Sequence, residues 1–213
     1  MKTDDLINLL ANGPDLASPP RPGRARWLPL VAAIAASALL MVLLLGVRRD
    51  LAHAATLPAF WVKVLFVAAL ALVARAISAR LAVPGARLGW LPLLLVLPVL
   101  LLWCLAGVTL ADAAPAARGP LFWGSTWRWC PLLITLLSLP IFAAALGWMR
   151  QRAPTRLRLA GGAAGLAAGA TAATLYCLHC TEMSSVFVGF WYLLGMLIPA
   201  VLGALIGPRV LRW

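Results

Sequence analysis

Residues 90–111 read WLPLLLVLPVLLLWCLAGVTLA, twenty-two positions without a charged side chain. An α-helix rises about 1.5 Å per residue, so this stretch is long enough to cross the roughly 30 Å hydrocarbon layer of a bilayer. Five more apolar runs lie on either side of it, at residues 27–47, 59–77, 130–149, 159–178 and 187–207. In lipid every backbone polar group must find its partner within the segment, so each run is expected to be helical. Pro92, Pro98, Pro140 and Pro199 fall inside these runs, where transmembrane helices tolerate proline as a kink. The expected fold class is all-α, a polytopic membrane bundle of six transmembrane helices. Residues 27–213 form that domain, and residues 1–26 form a separate segment ahead of it.

The composition supports this reading. Of 213 residues, 63% are hydrophobic and 11% charged, with mean hydropathy +0.96. Soluble domains are about 45–50% apolar and about 25% charged, and a domain of this size cannot hide so much apolar surface from water. The formal net charge of +12 would suit nucleic acid if it formed one basic face. It lies instead in short clusters between apolar runs, as membrane topology requires, so no direct contact with nucleic acid is expected. The clusters also orient the chain. Thirteen basic residues fall on one side: Lys2, Arg21, Arg24, Arg26, Arg75, Arg80, Arg87, Arg150, Arg152, Arg156, Arg158, Arg209 and Arg212. Only four, Arg48, Arg49, Arg118 and Arg128, fall on the other. The positive-inside rule then puts both termini in the cytoplasm of an inner-membrane protein. Lys63 lies within the second run, near its outer end, and is expected to snorkel outward. Trp27, Trp61, Trp90, Trp127, Trp129, Trp148 and Trp213 sit near the expected interfaces, as an aromatic belt should. Ala52-His53-Ala54 resembles a signal-peptide cleavage site, but the preceding run is too long for one and Arg48-Arg49 intervenes.

Two regions carry chemistry. In the N-terminal segment, Thr3 can cap a helix whose positive end suits Asp4 and Asp5. Leu6, Leu9 and Leu10 share a stripe with Ile7 beside them, and Gly13-Pro14 stops the helix. Residues 18–26 are a proline-rich basic linker. A helix of about ten residues is marginal alone in water. The stripe therefore needs a membrane surface or a hydrophobic groove on a cytosolic protein, unless it is a frayed end.

The second region is on the opposite side. Cys130 begins the fourth run, and Cys177, His179, Cys180, Glu182 and Met183 follow the fifth. Thiolate, imidazole and carboxylate at this spacing suit a thiophilic metal. An oxidising compartment equally allows a disulfide, either Cys130–Cys180 or Cys177–Cys180. Cys104, inside the third run, reads as a small hydrophobe. Gly161, Gly165 and Gly169 in the fifth run, with Gly203 and Gly207 in the sixth, allow two helices to approach closely, and packing within the chain is the favoured reading.

Several features together resemble the NrsF-like membrane anti-sigma factors. They are the opening residues 1–7, the Trp127, Trp129, Cys130 cluster, Tyr176 with His179, Cys180 and Glu182, and Trp191-Tyr192 with Gly195 and the closing Leu211-Arg212-Trp213. The resemblance spans the chain and includes the six-helix plan. It implies a non-enzymatic regulator that holds an extracytoplasmic-function sigma factor at the inner membrane through its cytoplasmic N-terminal segment. Asp4, Asp5, Leu6, Ile7, Leu9 and Leu10 are then the partner-binding residues. It implies periplasmic cysteines that sense heavy metal or thiol stress, with one cysteine in each of the last two outer loops, matching Cys130 and Cys180. Cys177 departs from that pattern, where a small residue is usual. No cofactor is required beyond a transient thiophilic metal ion held by Cys130, Cys180, His179, Glu182 and Cys177. The competing reading is a quinone-coupled periplasmic thiol oxidoreductase, which needs a reactive cysteine pair that exchanges with a second pair or with quinone. A transporter is disfavoured, because the spans carry no midplane charge.

Overall fold

The computed structural model describes residues 3–5 and 27–212. Among them the chain is helical throughout, with no strand. Helix α1 (Leu28–Leu45) starts with Pro29 in its first turn, where a missing N–H is harmless, and winds into a π-helical last turn over Met41–Leu45. It stops at Gly46, whose φ of 77° is open to glycine and strained for other residues. After a single helical turn at Leu51–Ala54, α2 (Pro58–Leu81) and α3 (Leu91–Asp112) follow, both again with proline in the first turn. A short helix not foreseen in the sequence, α4 (Pro115–Trp123), covers the outer loop. Then come α5 (Trp129–Arg150), α6 (Leu157–Tyr176) and α7 (Ser185–Val210), the last with a π-helical stretch at Val188–Tyr192.

Five of these helices, α1, α2, α3, α5 and α7, are long and apolar enough to cross a membrane. The twenty residues of α6 are mostly alanine, glycine and threonine, and α6 is outside that set. It is nevertheless the centre of the molecule, packed on α7, α2 and α5. The glycines explain how. A Cβ on Gly161 would strike the Gly203 carbonyl, and one on Gly165 the Pro199 carbonyl. A Cβ on Gly169 would come within 3.0 Å of Met196 Cα. The glycine ladder is thus the seam between α6 and α7 within one chain, where dispersion between touching backbones replaces the hydrophobic effect that lipid cannot supply. By contrast, only 6% of the α3 window and 11% of the α1 window is buried. Ser37 ties α1 to α5, its hydroxyl donating to the Leu137 carbonyl at 2.7 Å.

Candidate thiol site at one end of the bundle

Three loops converge where α1, α5 and α6 end. The loop after α1 brings Arg48, the start of α5 brings Cys130, and the loop between α6 and α7 brings residues 177–184. Leu178 accepts a backbone hydrogen bond from Arg48 N at 3.0 Å, stitching the first and last of these together. Cys130, Cys177 and Cys180 are at most 2% exposed, while Cys104 is exposed on α3, away from them. The four cysteines are free thiols.

Of the residues singled out in the sequence, Cys130 and Cys180 come together, enclosed with Cys177 in one cluster, with their thiols close enough to interact. That contact, with the Cys130 thiol as donor, holds the Cys180 thiol below its ordinary pKa, against the opposing effect of burial, and nearby Lys63 adds to the lowering. Cys177 sits beside the pair, but burial pushes its thiol up to about 12. His179 and Glu182 do not join them. His179 Nδ1 lies 3.0 Å from the Gly46 carbonyl, in the bend that ends α1. Glu182 Oε1 accepts from both the backbone N–H and the hydroxyl of Ser125, each at 2.7 Å, and so clamps the α6–α7 loop onto the α4–α5 loop. Among the described residues no group of three or more His, Cys, Asp or Glu side chains is arranged to hold a metal ion. The five candidate ligands therefore divide into a thiol cluster and two structural pins.

The sequence reading of Lys63 needs correcting. Instead of snorkelling outward it is 1% exposed and points into the bundle. Its Nζ donates to the carbonyls of Cys180 and Glu182, both at 2.9 Å, and stands 5.4 Å from the centroid of the Tyr192 ring. The reason is local: the carbonyls of the α6–α7 loop are unused by any helix, and an ammonium satisfies two of them at once. Arg48 does similar work from the other side. Its Nη1 donates to the Cys180 carbonyl at 3.3 Å while Asp50 pairs with its Nη2 at 2.6 Å. The hydrogen bond to Arg48 holds the Asp50 carboxyl down at about 2. The sequence reading assigns neither cation to the site, although the lone charge of Lys63 inside a span is a signal in itself.

An aromatic wall closes the outside. Phe122, Trp123, Trp127, Phe190 and Trp191 stack with ring centroids 4.7–5.8 Å apart. Trp191 Nε1 donates to the Phe122 carbonyl at 2.9 Å, and the Ser184 hydroxyl to the Leu121 carbonyl at 3.0 Å, so α4 is held down as a lid over the loop. At the other end of the chain, Asp4 and Asp5 fall in the described helical residues 3–5, while Leu6, Ile7, Leu9 and Leu10 lie outside the described residues.

Residues 10–213 match the family model described as the negative regulator of sigma F, NrsF. The chain belongs to the NrsF family. It is 53% identical to the probable anti-sigma-F factor NrsF of Azospira oryzae, with both chains covered in full. It is 38% identical to the anti-sigma-F factor NrsF of Caulobacter vibrioides, again over the whole of both. No solved structure matches it. The NrsF relatives are named as regulators and not as enzymes, in line with the non-enzymatic role implied by the resemblance. Nothing in those names favours the quinone-coupled oxidoreductase.

Proposed function

We propose that this NrsF-family chain is an inner-membrane anti-sigma factor that releases its partner when outer thiols react. It crosses the membrane six times, with α6, the fifth span in chain order, added to the five more apolar ones, and with both termini in the cytoplasm. Residues 1–26 hold an extracytoplasmic-function sigma factor, with Leu6, Leu9 and Leu10 as apolar anchors and Asp4 and Asp5 beside them. Cys130 and Cys180 face the periplasm as the sensing pair, and thiol-reactive agents, soft metal ions or oxidants, act on them. The observation that carries the reading is the Cys130–Cys180 contact. The start of α5 and the loop after α6, fifty residues apart along the chain, bring these thiols into one buried cluster in a chain whose full-length relatives are named anti-sigma factors. The α6 connection between the pair and the cytoplasmic face supports coupling by two-state movement, provided the reacted pair favours one state over the other.

Co-purification of the sigma factor from membranes tests both ends. The double variant Leu6→Asp, Leu10→Asp is expected to lose the sigma factor without stress, since a buried leucine anchor contributes roughly 1.5–3 kcal/mol. Cys130→Ser and Cys180→Ser are expected to retain it under thiol stress, and Cys104→Ser to release it normally. Retention by the leucine variant, or normal release by both serine variants, would overturn the reading.

A further inference from the structure

Two cations meet at one carbonyl oxygen. Arg48 and Lys63 both donate to the Cys180 carbonyl, yet their charges are balanced differently. Arg48 has the Asp50 carboxylate at 2.6 Å. Lys63 is the more deeply enclosed of the two, and among the described residues no carboxylate lies within ion-pair distance of it. Glu182, the acidic residue closest to it along the loop, gives Lys63 only its main-chain oxygen, and its carboxylate is turned onto Ser125. An ammonium shut in a membrane-level interior without an opposing charge is unfavourable. Two carbonyl dipoles and the face of Tyr192 offset only part of that. The remaining groups around it are Cys177, Cys180 and Cys130, all enclosed with it.

We propose that Lys63 is the buried counter-cation of the Cys130–Cys180 pair and that it makes Cys180 the reacting thiol. Lys63 acts through Cys180 and does not itself meet the reagent, so it is a positioning residue. The proposal rests on the reading of the pair as the sensor and adds what sets its reactivity. It also supplies a carrier for the signal. When an alkylating agent caps Cys180, or an oxidant takes up two electrons and the Cys130 proton goes to water as the two sulfurs bond, the negative charge of Cys180 disappears and Lys63 is left uncompensated. The two carbonyl bonds through which Lys63 fixes the 178–184 loop to α2 then lose their support, and α2 runs to the cytoplasmic side.

The test is the rate at which N-ethylmaleimide labels Cys180. The reagent's alkene carbon bonds to sulfur, the neighbouring carbon takes a proton from water, and nothing leaves. The full chain carrying Cys104→Ser, in lipid nanodiscs, is labelled at neutral pH and followed by peptide mass spectrometry. Lys63→Gln keeps a hydrogen-bond donor but no charge. It is expected to slow Cys180 labelling by about tenfold or more, because the thiolate and not the thiol is the nucleophile. Lys63→Arg, which keeps the charge, is expected to stay close to the parent. Cys177 reports folding, since burial holds its thiol up at about 12 in the native protein and it should stay unlabelled beside the equally enclosed Cys180, whose thiol is held down. A folded parent in which Cys180 is no faster than Cys177 would also overturn the proposal. Labelling of Cys180 in Lys63→Gln as fast as in the parent, with Cys177 still protected, would overturn the proposal. If Lys63→Gln unfolds and exposes Cys177, Lys63→Arg decides: parent-like labelling supports the counter-charge and slow labelling overturns it. These rates need no sigma factor. Normal sigma release by both serine variants would therefore sink the sensor reading and leave the labelling result standing.

Discussion

Helices α3 and α6 are nearly equal in length, at 22 and 20 residues, yet they occupy opposite environments. The sequence of α3 is the more hydrophobic, and of its residues only Leu102 is buried. That of α6 is poor in large apolar side chains, and eleven of its residues are buried. In water the order would be reversed, because burial of large apolar groups drives folding there. In a bilayer the lipid already accepts leucine, and what remains to favour helix association is close contact between backbones. Hydropathy reports which surface faces lipid, and small residues report which face is inside. The thiol site hangs on this difference: Cys177 and Cys180 follow directly from the enclosed helix, and Cys104 rides on the lipid-facing one.

The contrast is broken most severely on the seam. Gly165→Val puts two methyl groups where the Pro199 carbonyl already stands, and a backbone oxygen cannot rotate aside. Overpacking typically costs 1–3 kcal/mol and occasionally more. A variant that must part α6 from α7 is expected at the upper end or beyond, with a marked drop in Tm in detergent and loss of protein from the membrane. An unchanged Tm would mean that the seam is looser than described.

A matching change on α3 sharpens the comparison. Leu93 is 70% exposed, and Leu93→Ala is expected to shift stability by no more than about 0.5 kcal/mol, as substitutions away from packed features do. A shift as large as that of Gly165→Val would show that α3 is covered by a partner in the membrane.

The smallest effect is expected from mild acid at the Arg48–Asp50 ion pair. The carboxyl of Asp50 is depressed to about 2 by Arg48. A group whose folded value is depressed contributes its stability above its unfolded value and loses it as pH falls through the folded one. The difference in Tm between the parent and Asp50→Asn should therefore stay constant from pH 7.5 to pH 5, and shrink only as the pH falls below about 4. A difference that shrinks between pH 7 and 5 would place its origin in another titrating group.

Much of the molecule is legible in residue order alone. Apolar runs such as residues 90–111 announce membrane-spanning helices, because hydropathy is a sum over neighbours along the chain. The spacing of Gly161, Gly165 and Gly169 announces a close helix contact, because four residues return to the same face. Basic-residue placement assigns Cys130, Cys177 and Cys180 to one side, and it is the resemblance to the NrsF-like anti-sigma factors that singles out Cys130 and Cys180 among them. What tertiary structure alone decided is how the polar residues are used. Lys63 turns inward because carbonyls more than a hundred residues away, at Cys180 and Glu182, are used by no helix and stand beside it. His179 and Glu182 read by spacing as candidate metal ligands beside Cys130, Cys177 and Cys180, and in the structure they are held by the Gly46 carbonyl and Ser125. No local pattern encodes those partners, since each is supplied by a loop that comes near only after α6 has packed against its neighbours.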